Sequence, residues 1–138
     1  MRIFTFLTLI IALSSCASEG KIEEEVVENR SIERGELSED SKIFLGNRLF
    51  SEKTCIKCHL VDRKKVGPSV VDIMHHYKKN DASIVAFLKG NSSPIVDTND
   101  SLIAIMQANI DGFLKNITDE ELDAIATYMM HVDKLNKK

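Results

Sequence analysis

Two cysteines and a histidine, Cys55, Cys58 and His59, fall within five consecutive positions of the stretch TCIKCHLVDRKKVGPS, residues 54–69. The chain has one other cysteine, Cys16. A disulfide, a metal site, a redox dithiol and a covalently attached haem all use cysteines this close together. A disulfide between residues three apart closes a small loop and constrains little of the unfolded chain. A closed zinc site takes four ligands, usually as two paired clusters, and the sequence has a single pair. A thioredoxin-type CxxC follows a strand of a βαβ unit. None of these uses gives His59 a role. The pattern C-x-x-C-H as a haem attachment site uses all three residues. Each thiol adds to one vinyl group, and two intervening residues let the sulfurs reach both vinyls along one ring edge. The next residue then lies under the iron, where His59 can donate an imidazole nitrogen.

A second axial ligand would complete such a site, and a His/Met pair raises the potential and suits electron transfer. The sequence offers Met74, Met106, Met129 and Met130, besides His75, His76 and His131. Met129 continues the apolar stripe of the last helical segment and reads as core. Met130 and His131 lie just before the C-terminus. His75, His76 and His131 read as partly exposed helix residues, and a bis-His haem using His75 or His76 is a competing arrangement.

The elements that would position these residues read as helices. SEDSKIFLGNRLFSEKTC has capping residues at its start (Ser38, Asp40 or Ser41), followed by Phe44, Leu49 and Phe50. Gly46 inside that helix costs ~1 kcal/mol against Ala, so something must pack closely there. LVDRKKVGPS is a loop punctuated by Gly67 and Pro68. VVDIMHHYKKN is a short helix ending near Asn80. DASIVAFLKGNSS is another, with Asp81 as its cap, Ile84, Val85 and Leu88 on one face, and Gly90 as its stop. SPIVDTND is a loop, and SLIAIMQANIDG a short helix or turn leading into irregular chain. TDEELDAIATYMMHVDKL opens on a capping box, Thr118 with Glu121, with Asp119 and Glu120 adding favourable charge in the first turn. Leu122, Ile125, Ala126, Met129 and Val132 recur at helical spacing. No stretch alternates as a strand and no internal repeat is present, so the fold class is all-α.

The N-terminal segment is of another kind. Arg2, an apolar run from Ile3 to Leu13 and then small residues read in that order as an export signal. The run is too short to span a bilayer, which takes ~20 helical residues. LSSC, residues 13–16, resembles the bacterial lipobox, which implies that 1–15 is removed and that Cys16 becomes the lipidated first residue. Stable anchoring takes more than one acyl chain, and lipoproteins of this class carry several. Residues 17–40 hold nine acids and three bases with few aliphatics, too little apolar surface to offset ordering entropy. They read as an acidic tether, roughly 25–29 Å in root-mean-square span as a flexible coil. The organisation expected is therefore signal (1–15), lipidated Cys16 and tether (16–40), and folded domain (41–138). An exported protein anchored to a bacterial membrane, periplasmic or at the cell surface, follows. A core this small is marginal alone, so a cofactor that supplies buried apolar surface would support it.

With CxxCH, an export signal and a helical domain together, residues 38–135 resemble a small monohaem bacterial cytochrome c of the class I type. Gly46 and Phe50 in GNRLF match the glycine and aromatic of that family's first helix. Tyr128 in IATYM matches the aromatic of its last. The resemblance implies three to five short helices wrapped around one covalently bound haem c, with the first and last helices crossing at the glycine. It also matches Gly67-Pro68 to a GP pair whose proline carbonyl accepts the hydrogen bond of the haem histidine. Such an acceptor fixes ring orientation and raises ligand basicity. The family's axial methionine sits on irregular chain before the terminal helix, which points to Met106. The proline that often follows that methionine is absent here. The site expected is thus Cys55 and Cys58 as covalent attachment, His59 and Met106 on iron, and Pro68 behind His59.

Charge is uneven along the chain. Residues 52–79 carry seven bases against three acids, whereas 97–123 carry one base against seven acids. Such asymmetry can steer a charged partner. Lys53, Lys57, Arg63, Lys64 and Lys65 are candidates for a basic rim where larger redox proteins dock. Nothing in the pattern suggests nucleic-acid binding. The function expected is a membrane-tethered single-electron carrier that is not itself an enzyme. The alternatives are a haem enzyme or gas sensor with an open or displaceable sixth ligand, and a lipoprotein interaction domain without haem.

Overall fold

The Oγ of Ser38 accepts the amide hydrogen bond of Ser41 at 3.3 Å and so starts helix α1 (Glu39–Glu52). The computed structural model to which this helix belongs describes residues 35–135. The expected signal 1–15, Cys16 and most of the expected tether lie outside the described residues. Helices α2 (Val70–Lys79), α3 (Ile84–Leu88), α4 (Asp100–Asp111), α5 (Asp119–Met130) and α6 (Val132–Leu135) follow. Two 3₁₀ turns, Cys55–Lys57 and Phe113–Asn116, punctuate them. No strand occurs among the described residues beyond an isolated bridge between His59 and Lys64. The fold is all-α, as the sequence predicts. Ahead of α1, Glu36 is tied to Lys42 at 2.8 Å.

Helix α5 forms as its sequence dictates. Thr118 Oγ1 accepts from the Glu121 amide at 3.2 Å, and Glu121 Oε2 accepts from the Thr118 amide at 2.9 Å, so two otherwise orphaned donors are satisfied reciprocally. The Thr118 amide, followed by Lys53, holds the Glu121 carboxyl below the usual carboxylate range. Its stabilising contribution is therefore present at neutral pH and fades as pH falls through that depressed value. Leu122, Ile125 and Met129 enter the core beside Leu49, Phe50, Met74 and Ile84.

Helix α5 crosses α1 at Gly46. A Cβ there would run into the Ala124 backbone carbonyl and stand 2.8 Å from Tyr128 Cβ, so only glycine permits this approach. One turn on, Phe50 and Tyr128 stack at 5.5 Å between ring centroids, tilted by 57°. Lys42–Asp123, Lys53–Glu121 and His131–Glu39 line the same seam at 2.9, 2.9 and 3.4 Å. Phe44, on the same helix, is 76% exposed and takes no part in the core.

Two local expectations are corrected. Asp81 does not cap α3; it takes a left-handed turn conformation (φ 47°), and Ser83 Oγ receives the Ala86 amide instead at 3.1 Å. The stretch from residue 100 forms a full twelve-residue helix with no irregular part, and Asn99 Oδ1 caps its start on the Leu102 amide at 3.2 Å. Gly46→Ala should destabilise the protein by about 3 kcal/mol, the upper end for overpacking against backbone, read as a lower denaturant midpoint. A gain in stability, which alanine's helix propensity alone would give, would refute the crossing.

Candidate functional site

The CxxCH segment begins where α1 ends. Thr54 bends the chain there with φ 63°, a left-handed conformation unusual for a β-branched residue. Such backbone costs on the order of 1–3 kcal/mol and persists where its surroundings determine it. The 3₁₀ turn follows at once, and the amides of Cys58 and His59 both donate to the Cys55 carbonyl, at 3.1 and 2.9 Å. Cys55, Cys58 and His59 are thereby gathered on one turn. Cys55 and Cys58 form no disulfide with one another. Burial pushes the Cys55 thiol above its ordinary value, so it is protonated at neutral pH.

The loop after His59 folds back over it. The amides of Val66 and Gly67 donate to the Cys58 carbonyl at 3.2 and 3.1 Å, and the Val70 amide donates to the Leu60 carbonyl at 2.9 Å. This return lays Gly67 flat on the imidazole. A Cβ at 67 would collide with the His59 ring, standing 2.8 Å from Nδ1. The Pro68 carbonyl lies 2.9 Å from His59 Nδ1. A carbonyl only accepts, so Nδ1 carries the proton and the Nε2 lone pair is left free. Ser69 then caps α2, accepting from the Asp72 amide at 3.0 Å.

Cys55, Cys58 and His59 open onto an apolar cavity of about 240 Å³. Its walls include Ile73 and Tyr77 of α2, Phe87 of α3, Leu102 and Met106 of α4, and Ile125 and Met129 of α5. Burial pushes the Tyr77 phenol up to about 12, so it remains a neutral group in this wall. Two free thiols, an imidazole with a free Nε2, apolar walls and a thioether suit a covalently held haem. Of the other candidate ligands, Met129 also lines the cavity but belongs to the core. Met74 is fully buried, and His75 and His76 are exposed on α2; none of these three lines the cavity. His131 ends α5 instead, its Nδ1 donating to the Thr127 carbonyl at 2.8 Å. Met106 lies on α4 rather than on irregular chain, as the seventh residue of that helix.

Of the five predicted rim cations, three hold carboxylates: Lys53 with Glu121, Arg63 with Asp62 at 3.2 Å and Lys64 with Asp97 at 3.1 Å. Lys57 and Lys65 are exposed and have no ion pair among the described residues. Asp97 lines the cavity. The sequence carries no sign of its place there, because its partner stands 33 residues away and no local pattern links the two. Among the described residues no His, Cys, Asp or Glu side chains form a metal-binding group of three.

A helical domain closed over a CxxCH turn defines a haem-attaching electron-transfer domain, and comparison with known proteins agrees. The family model for cytochrome c matches residues 44–133. Cytochrome c-551 of Pseudomonas denitrificans is 40% identical over 57 residues, covering 36% of this chain and 70% of that protein. The chain belongs to the cytochrome c family, as a small class I monohaem member, and carries covalently bound haem c. Gly67→Ala should displace the His59 ring. We expect the holoprotein to show a weakened low-spin absorption spectrum and a lower yield of haem incorporation. A wild-type spectrum would show that the ring does not depend on glycine at 67.

Proposed function

We propose that this cytochrome is a single-electron carrier whose iron is held by His59 and Met106, with thioether bonds to Cys55 and Cys58. One observation supports this most directly. His59 presents a free Nε2 to the cavity that the Met106 thioether also lines, while its Nδ1 is committed to Pro68. Bound haem supplies a one-electron couple. The protein's part is to orient His59 through Gly67 and Pro68, and to keep water out with apolar walls. It also supplies a soft sulfur ligand, which favours the ferrous state.

Donor and acceptor are larger redox proteins that dock at the cavity mouth. Ile56 stands exposed between the two cysteines, and Val66, Ile95, Ile105 and Phe113 are exposed residues of the cavity rim. Lys57 and Lys65 supply charge not already neutralised within the chain. The reading also places the protein outside the cytoplasm, held to a membrane by lipid on Cys16 through the acidic tether. No helix among the described residues is long and apolar enough to cross a membrane. Mass spectrometry of protein extracted from membranes should find acylated Cys16 as the N-terminus; any other N-terminus overturns the anchor.

Met106→Ala should abolish the far-red sulfur-to-iron charge-transfer band of the oxidised protein. It should also let carbon monoxide bind the reduced protein readily. A band that survives shows another ligand in place. Rapid carbon monoxide binding to the wild type would favour a sensor or enzyme with an open sixth site.

A further inference from the structure

Two loops border the haem cavity, and one ion pair spans them. Lys64 belongs to the loop that folds back over His59, fixed by its bridge to that residue. Asp97 belongs to the irregular segment between α3 and α4. Lys64 Nζ donates to Asp97 Oδ2 at 3.1 Å. Asp97 Oδ1 accepts from the Asn99 amide at 3.0 Å, and Asn99 Oδ1 caps the Leu102 amide at 3.2 Å. A continuous chain of bonds therefore runs from the His59 loop to the first turn of the helix that carries Met106. Among the described residues no other hydrogen bond or ion pair joins the 60–69 loop to the 91–99 segment.

The two charges are not equally placed. Asp97 is 18% exposed and forms part of the cavity wall, whereas Lys64 is 58% exposed and does not. Charge on Asp97 therefore acts on the cavity through protein, and charge on Lys64 acts more through water. A carboxylate beside the cofactor favours its more positive, oxidised state.

We infer that Lys64 and Asp97 are positioning residues that latch the start of α4 across the cavity, and that Asp97 holds down the haem potential. The latch places Met106 and so rests on its proposed role as ligand; the charge effect does not. The Asn99 amide first, and Lys64 next, hold the Asp97 carboxyl below the usual carboxylate range, so the pair is charged at neutral pH.

The holoprotein tests this with three variants, Lys64→Gln, Asp97→Asn and the exchange Lys64→Asp/Asp97→Lys. Amide hydrogen exchange at Leu102 and Ile103 should quicken about two- to fivefold in each single variant, the range for an exposed ion pair. Protection should return only in part in the exchanged pair, because the ion pair is restored but a lysine at 97 cannot accept from the Asn99 amide. The difference between wild type and the single variants should shrink near 1 M salt, where screening reaches ~3 Å. Redox titration gives a readout that a merely structural pair would not move. Asp97→Asn should shift the oxidation equilibrium about three- to tenfold towards the reduced form, and Lys64→Gln by less towards the oxidised form. The exchanged pair should favour the reduced form more than Asp97→Asn does. Unchanged exchange rates at low salt in both single variants overturn the latch. Shifts of the same sign, or none, overturn the role of Asp97. The far-red band of the wild type, recorded on the same samples, tests Met106 ligation separately: its absence would refute that ligand while both readouts above stay interpretable.

Discussion

The close approach of α1 and α5 at Gly46 is the constraint on which the other parts depend. With no side chain at 46, the Ala124 carbonyl and the base of Tyr128 come against the α1 backbone. Phe50 and Tyr128 can then stack, and Lys53 can reach Glu121 at the capping box of α5. That seam fixes the far end of α1, where the left-handed Thr54 turns the chain into Cys55. The attachment turn therefore stands at the end of a rigid pair of helices. Its geometry is inherited from a contact that contains no functional residue.

The same logic explains why the interior is built around a cavity. Ile73, Tyr77, Phe87, Leu102 and Ile125 come from four helices, and each turns apolar surface toward space that protein atoms do not fill. A domain of about this length gains little margin from its own core. A large apolar cofactor, covalently attached, completes the packing. Haem c in this family is thus as much a part of the hydrophobic core as a redox group. The polar requirements of the site are met by Pro68 behind His59 and by Asp97 in the cavity wall.

Much of this was legible in the sequence, where the signal was local. CxxCH, the Thr118–Glu121 capping box, the stop at Asn80 and the lone helix glycine are patterns confined to a few residues, and the chain obeys them. The departures arise where neighbouring residues compete or where the partner is distant. Asp81 and Ser83 are both competent caps, and the turn at Asp81 left the role to Ser83. The segment around Met106 reads as half irregular, yet it is helical from Asp100 to Asp111, capped at its start by Asn99. Phe44 looks like a core residue by type, but its position on α1 turns it to solvent. The pairing of Lys64 with Asp97, which neutralises part of the expected basic rim, is a tertiary fact with no counterpart in spacing.

Helix α1 has one more consequence. The described chain enters at its N-terminal end, and the CxxCH turn leaves from its C-terminal end, fourteen residues or roughly 21 Å away. A load applied at Glu39 would run along the helix axis and be shared with α5 through Lys42–Asp123 and the Gly46 contact. It would meet that seam before it reached the turn that holds Cys55 and Cys58.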